Sequence, residues 1–497
     1  MKEKVVKYIK SKQIILIVFV LGAILFAIPS INYLLENKTI LNFNEYFKFC
    51  LNDTNRVEQT IIYVAILAVL TIFYFLIVKN RDTLFKSNKY MYMYIAIISL
   101  IFVVVVPFLS SDVFYYLGVG RLDSQYGQNP YYVTIKDFVE SGDNRQYLEQ
   151  DTVLAKGYEN DWGSTTVVYG PIWTLVCKMV AGISFGNIDI ALLLFKLLNM
   201  AIHLVNCYLI YKLTGKKLFV LLYGLNPYMF IEGIANVHND IYVVTCILAS
   251  LYFLLKKKNI LVSILFLALA TAIKYFAILL LPFIIIYYSR DKKPLERLKN
   301  CFLYGMLFVF IVAITYLLYI QDIQVLSGIM TQQQKFTKNF YIILMEYFDI
   351  PDLVSNVNMI FLISFIIIYF FTCLTLLYKK QIIFREEMRK IEYFLVAFLF
   401  LLITNFQPWY IMWLFPLMMW QKKKMIQFVV QIALISQFAN SVFLINGEGW
   451  RNGTPFTFFM LLGIFVCLNL GPSEPGPNGP DKKMSHRQTN SMRQNKE

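Results

Sequence analysis

Met91-Tyr-Met-Tyr-Ile-Ala-Ile-Ile-Ser-Leu-Ile-Phe-Val-Val-Val-Val-Pro-Phe-Leu109 runs directly into Ser110-Ser-Asp-Val-Phe-Tyr-Tyr-Leu-Gly-Val-Gly-Arg121. The first stretch has the length and apolarity of a bilayer-crossing helix, which needs roughly 20 such residues. The second places the carboxylate of Asp112 where that run ends, and an ionised group at a membrane edge is costly unless it works or pairs. Together they predict an all-α, polytopic membrane protein with a polar working segment at one membrane face.

The rest of the chain supports this reading. Of 497 residues, 58% are hydrophobic and only 15% charged, against about 25% charged in soluble proteins. Apolar runs recur almost to the end, so the fold must be helical, because lipid-exposed backbone has to satisfy its own hydrogen bonds. The formal net charge of +15 comes from Lys and Arg in short clusters between apolar runs. Such clusters encode membrane topology and give no reason to expect a nucleic-acid partner. Seven Cys, mostly inside apolar stretches, suggest neither a disulfide framework nor a spaced metal site.

Placing the basic clusters on the cytoplasmic side predicts about 14 transmembrane segments within residues 1–470. On this path the run from Gln13 to Leu35 stays as the first span. The segment 111–166 is a large outer loop, ordered because it is rich in aromatics. Val167 to Ile183 is a short re-entrant or interfacial helix. Asn236 to Asp240 is a tight outer connection, and the run Asn259 to Tyr288 crosses twice with its turn at Lys274. Residues 471–497, Gly/Pro-rich and then basic, read as a disordered cytoplasmic tail.

Three polar constellations then share one face: Asp112 with Arg121 and Asp123, Asn236-Val-His-Asn-Asp240, and Lys274, with outer loops at Gln332–Lys338 and Asn405–Tyr410 as candidate roofs. A carboxylate able to act as base, a His-Asp cluster and a cation fit transfer from a lipid-linked phosphate donor. Simpler readings compete at each residue. Asp112 and Asp240 can cap helices, Lys274 can snorkel, and Arg121 can pair with Asp123. Trp409, Tyr410 and Trp413 can form an interfacial aromatic belt.

The ordered residues Asp112, Tyr116, Gly120-Arg121, Gly127, Asn129-Pro-Tyr131, Tyr169-Gly-Pro171, Asn226-Pro227, His238-Asn-Asp240, Lys274 and Gln407-Pro-Trp-Tyr-Ile-Met-Trp413 carry a resemblance. The pattern, over roughly residues 110 to 415, resembles integral-membrane C-type glycosyltransferases, particularly bacterial polyprenyl-phosphate-mannose-dependent mannosyltransferases. Tyr-Gly-Pro replaces the double-Pro form of some relatives, and the Asp-x-Asp that oligosaccharyltransferases use for metal is not seen.

The resemblance implies an inverting glycosyltransferase of the bacterial cell membrane, its active site facing outside. Mannose would pass from a polyprenyl-phosphate donor to a hydroxyl of a glycan or lipid-linked acceptor, with membrane lipid as surroundings. Asp112 would be the catalytic base. Arg121, Tyr131, Tyr169, His238, Asn239, Asp240, Lys274, Gln407, Trp409 and Tyr410 would bind substrate. No cofactor or metal ligand set is expected, although a divalent metal stays open. The alternatives are a transporter or flippase of a lipid-linked or polar solute, and a polysaccharide polymerase or ligase. The lack of a convincing internal repeat and of His in the large loop speaks for the transferase.

Overall fold

The computed structural model describes residues 2–37, 56–328, 353–403 and 406–446, with positions 345, 348 and 350. The predicted tail 471–497, the last apolar run at 455–470, the 332–338 loop and Asn405 lie outside the described residues. The architecture is all-α, with no strand among the described residues. Helices α1 (Lys2–Asn37), α2 (Arg56–Leu84) and α3 (Asn88–Val103) come first. The lobe that follows holds α4 (Asp112–Ser124), α5 (Ile135–Glu140) and α6 (Thr152–Glu159), and ends on α7 (Pro171–Ile183).

Next are α8 (Ile188–Thr214), α9 (Lys217–Gly224), a π-helix (Met229–Ala235), α10 (Asp240–Leu255), α11 (Ile260–Thr271), a 3-10 helix (Tyr275–Leu280) and α12 (Leu281–Tyr288). The chain continues through α13 (Pro294–Tyr316), α14 (Leu353–Tyr378), α15 (Phe384–Ala397), a second π-helix (Phe398–Leu402), 3-10 turns at Pro408–Leu414 and Met418–Trp420, and α16 (Lys423–Asn446).

This is a membrane protein. Five helices, Lys12–Leu35, Val57–Leu84, Ile188–Thr214, Pro294–Tyr316 and Leu353–Tyr378, are long and apolar enough to cross a bilayer. The last two expose Phe302, Val309, Phe310, Ile366 and Phe370 outward, an apolar surface too extensive for contact with water. Among the described residues, helix length and composition give these five spans, or six if one bent pair is a span, beside several shorter apolar helices, so the tally of about 14 is not confirmed. The predicted span near 218–235 is α9 and a π-helix bent by 61°. The run 259–288 is broken at Lys274, and the 12 residues of α11 reach only about 18 Å. Proline explains part of this: Pro227 and Pro408 each start a new helical segment after a break, since Pro cannot donate into a preceding turn.

The breaks position the site. Helices α3, α9 and α11 all end before their apolar sequence does, and the non-helical backbone after each is buried against α8, α10 and the 408–414 turn. Irregular backbone at such depth is tolerated only inside protein. The lobe is ordered, as its aromatics predicted: α4 lies between α6 and α7. A Cβ on Gly120 would collide with the backbone of Cys177, so its glycine is what lets α4 and α7 touch.

Candidate active site

Asp112 is the first residue of α4, fixed by its N–H to Ser110 Oγ (3.2 Å). Only 14% of its side chain is exposed. Its Oδ2 accepts from the Tyr116 hydroxyl at 3.3 Å, one helical turn on, and Tyr116 in turn meets the Tyr169 hydroxyl at 3.2 Å. His238 Nδ1 stands 4.0 Å from the same Oδ2, and Glu232 Oε2 lies 3.3 Å from the other ring nitrogen. Burial pushes the Asp112 carboxyl above the ordinary carboxylate range, while His238, Lys274 and the Tyr116 hydroxyl pull it back. Such a carboxyl is a better proton acceptor when ionised than a solvated one.

The π-helix sets the second wall. Its wide turn places Glu232 inward and fully buried, with Gln437 Nε2 donating to Oε1 (2.8 Å) and Asn236 Nδ2 to Oε2 (3.1 Å). Asn236 Oδ1 receives the N–H groups of Phe108 and Leu109, which ties this segment to the approach to Asp112. Val237 then takes φ +61°, a conformation that a β-branched residue adopts only when its surroundings impose it. That turn presents His238, Asn239 and Asp240, all buried. Asn239 has no hydrogen-bond partner for either amide atom among the described residues.

Lys274 sits in the break after α11 and donates to both oxygens of Asp240, at 2.7 and 2.9 Å. The absence of a nearby acidic residue in its own sequence segment is thus made good from 34 positions away. Asp240 also accepts the indole N–H of Trp413. The ammonium lies 4.6 Å from the ring of Tyr410 and 5.7 Å from that of Tyr169. Gly170 makes the second contact attainable: its N–H bonds to Ile273 O, and a Cβ there would strike the carbonyl of Ala272.

The 408–414 turn forms the aromatic wall. In a 3-10 helix residues three apart eclipse, and Tyr410 and Trp413 accordingly stack at 4.7 Å. Trp409 stacks on His238 at 3.7 Å, and Trp413 on Phe276 at 3.7 Å. Trp409 and Trp413 are buried rather than spread along an interface. A small cleft opens among Asp112, Trp162, Tyr169, Gln407, Trp409 and Tyr410.

Asp112, Tyr169, His238, Asp240, Lys274, Gln407, Trp409 and Tyr410 therefore gather at one place, with Asn239 between His238 and Asp240. Tyr131 stands behind it, donating to Tyr169 O at 2.9 Å. Arg121 lies elsewhere, nine residues and about 13 Å along α4 from Asp112. It is held by Asp151 at 2.5 Å, and Asp123 pairs instead with Lys178 at 2.8 Å. Glu232 escaped the sequence reading, because one acid inside an apolar run carries no periodic signal. So did a polar face on α8, whose spacing 196, 199, 203 and 206 would have revealed it. Among the described residues no group of three or more metal-binding side chains occurs.

The profile of the family described as alpha-(1->6)-mannopyranosyltransferase, N-terminal domain, matches residues 17–290. That range holds Asp112, His238, Asp240 and Lys274 but not the 408–414 turn. The chain is 27% identical over 198 residues to alpha-(1->6)-mannopyranosyltransferase A of Corynebacterium glutamicum, covering 39% of this chain and 37% of that protein. The match thus spans little more than a third of that relative's length. No solved structure matches the chain.

Proposed function

Because the chain belongs to the alpha-(1->6)-mannopyranosyltransferase family, we propose that it moves mannose from a polyprenyl-phosphate donor to an acceptor hydroxyl, with inversion. The observation that carries this reading is the cleft where a shielded carboxylate, Asp112, meets the aromatic walls of Tyr169, Trp409 and Tyr410, with the Lys274 ammonium 4.6 Å from the Tyr410 ring. In this mechanism Asp112 takes the proton of the acceptor hydroxyl. The oxygen attacks the anomeric carbon, the bond from that carbon to phosphate oxygen breaks, and polyprenyl phosphate leaves with the electron pair. Tyr116 holds the carboxylate by its hydrogen bond, and His238 stands 4.0 Å from the same oxygen.

The leaving phosphate gains negative charge, so a fixed cation beside it lowers the barrier more than it strengthens ground-state binding. Lys274 fills that role. An ammonium has three N–H donors, and two go to Asp240. Asp240 sets the ammonium's direction, since its own oxygens already accept from Lys274 and Trp413. Asn239, with neither amide atom engaged among the described residues, is the reader of a sugar hydroxyl, and Tyr169, Trp409 and Tyr410 supply faces for the pyranose ring. Arg121, bound to Asp151, serves the lobe instead. A donor with its tail in the bilayer suits a cleft at the ends of broken helices.

The Lys/Arg pattern puts this cleft on the non-cytoplasmic face. The acceptor is a glycan or a lipid-linked sugar. The reading is tested by transfer from radiolabelled polyprenyl-phosphate mannose in membranes containing the chain. Label appearing in acceptor, and lost in Asp112→Asn, is the expected result. No transfer from several such donors, combined with movement of the lipid or a polar solute across the membrane, would overturn it in favour of a transporter. Topology is read separately with an impermeant thiol reagent on intact cells. Ser141→Cys in the lobe should label above the parent chain, and Lys292→Cys should not; the reverse pattern would turn the site inward.

A further inference from the structure

Helix α8 crosses as an apolar span yet carries Lys196, Asn199, His203 and Asn206, all buried. Steps of three, four and three residues put them on one face. Three of them meet backbone at an irregularity next to the site, and Asn206 meets the first turn of α10. Lys196 Nζ donates to Val105 O, two residues past the end of α3. Asn199 Nδ2 donates to Gly233 O in the π-helix at 2.6 Å, while its Oδ1 accepts from the Tyr242 hydroxyl at 2.7 Å. His203 Nε2 meets Gly224 O at 3.1 Å, at the last residue of α9. Asn206 Nδ2 donates to Ile241 O at 3.1 Å, beside Asp240, and to the Tyr223 hydroxyl at 2.9 Å.

We propose that this face is a positioning rail, which fixes the Val105–Asp112 segment and the Glu232–Asp240 segment relative to each other. The proposal rests on the catalytic reading above only for its effect on rate. Two helices broken inside a low-dielectric core leave carbonyls that must be met by donors from elsewhere. One straight helix reaches the carbonyls of Val105, Gly224 and Gly233, so the two halves of the site share one ruler. A hydrophobic face would have packed α8 as well but would have left the breaks without a fixed register. None of the four residues touches the cleft, so they are positioning residues and not catalytic ones.

The test compares Asn199→Leu, Lys196→Met, Lys196→Arg and Tyr242→Phe in the full chain reconstituted in lipid. Displacing reacting groups by about 1 Å costs about 10²-fold in rate, so kcat should fall between 10- and 100-fold in the Leu and Met variants. The donor KM should stay within threefold and the unfolding temperature close to the parent's. Lys196→Arg, which keeps a donor, should recover most of the rate, and Tyr242→Phe should show a smaller loss in kcat alone. Amide exchange should quicken at 104–111 and 233–239, a readout independent of turnover. Parent-like kcat and exchange in Asn199→Leu and Lys196→Met would overturn the rail, as would equal impairment of Lys196→Met and Lys196→Arg. If the Leu and Met variants fail to fold, Tyr242→Phe decides alone, an unchanged kcat and exchange overturning it. If Asp112→Asn keeps parent turnover, the base assignment falls and the exchange data still judge the rail.

Discussion

Two buried ion pairs, Lys274–Asp240 and Arg121–Asp151, look alike by distance and burial, yet the first lies against two aromatic residues that line the cleft and the second knits the lobe. Asp151 also accepts from Tyr126 and caps α6 through Leu154 N–H, so every neighbour of Arg121 is a structural one. Lys274 is ringed by Tyr169, Tyr410 and Trp413, and Tyr169 and Tyr410 line the cleft with Asp112. A buried pair is therefore no mark of function in itself. Its surroundings decide what it does, and breaking either pair leaves an uncompensated charge that costs about 3–5 kcal/mol.

The largest effect expected of any substitution lies outside both pairs. Asp112→Asn keeps the side chain's shape and removes the base, and should lower kcat by about 10² to 10⁴ with the protein still folded. Near-parent turnover in single-turnover transfer would remove Asp112 from the chemistry. The pairs are separated next, by charge-neutral double substitutions that avoid the stranded carboxylate. Lys274→Met with Asp240→Asn should fold and lose transfer by roughly 10²-fold, the scale of one preorganised stabilising group. Arg121→Met with Asp151→Asn should keep transfer per folded molecule within a few-fold. Equal losses in the two doubles would erase the distinction drawn here.

Gly170→Ala sharpens the comparison from the backbone side. The added methyl pushes the Tyr169 turn off Ala272, and overpacking of this kind costs about 1–3 kcal/mol. Transfer should fall while the donor concentration giving half-maximal rate rises, because Tyr169 no longer closes over Lys274. Gly127→Ala, in the lobe with open space around it, should strain only its own turn, and a larger effect on transfer there than at Gly170 would contradict the assignment. The smallest effect is in pH. A base works ionised, and the Asp112 carboxyl is held above the usual range by burial. The rate should therefore climb with pH through a limb displaced upward from an ordinary carboxylate's, and a limb at or below the ordinary value would contradict the shielded setting.

Much of the site was legible residue by residue. Asp112, His238, Asp240, Lys274 and the Gln407–Trp413 stretch are polar or aromatic groups at the ends of apolar runs, where their cost demands a reason. Their partners were not legible. Lys274 and Arg121 are both cations in aromatic surroundings, and nothing within ten residues of Lys274 announces Asp240, nor does the spacing of Arg121 and Asp123 exclude their pairing. The structure sends Arg121 to Asp151 and Asp123 to Lys178. The break at Lys274 was legible as a turn between two apolar runs, whereas the bend of 61° at Pro227 was not. Hydropathy measures how apolar a run is and does not say where it stops being one helix.

The sequence alone determined the helical membrane class, because its continuous apolar runs of roughly 20 residues fit helices that satisfy their own backbone in lipid, whereas barrel strands alternate. It also determined which side chains stand at the helix ends, since the order of apolar and polar residues is local information. Only the tertiary structure decided which acid meets which cation, that Val237 turns left-handed to present His238, and that one face of α8 binds the broken helices together. Those outcomes depend on contacts between residues 17 to 173 positions apart. Such contacts form only after helices pack, and the energy of each pairing is set by the burial that packing creates.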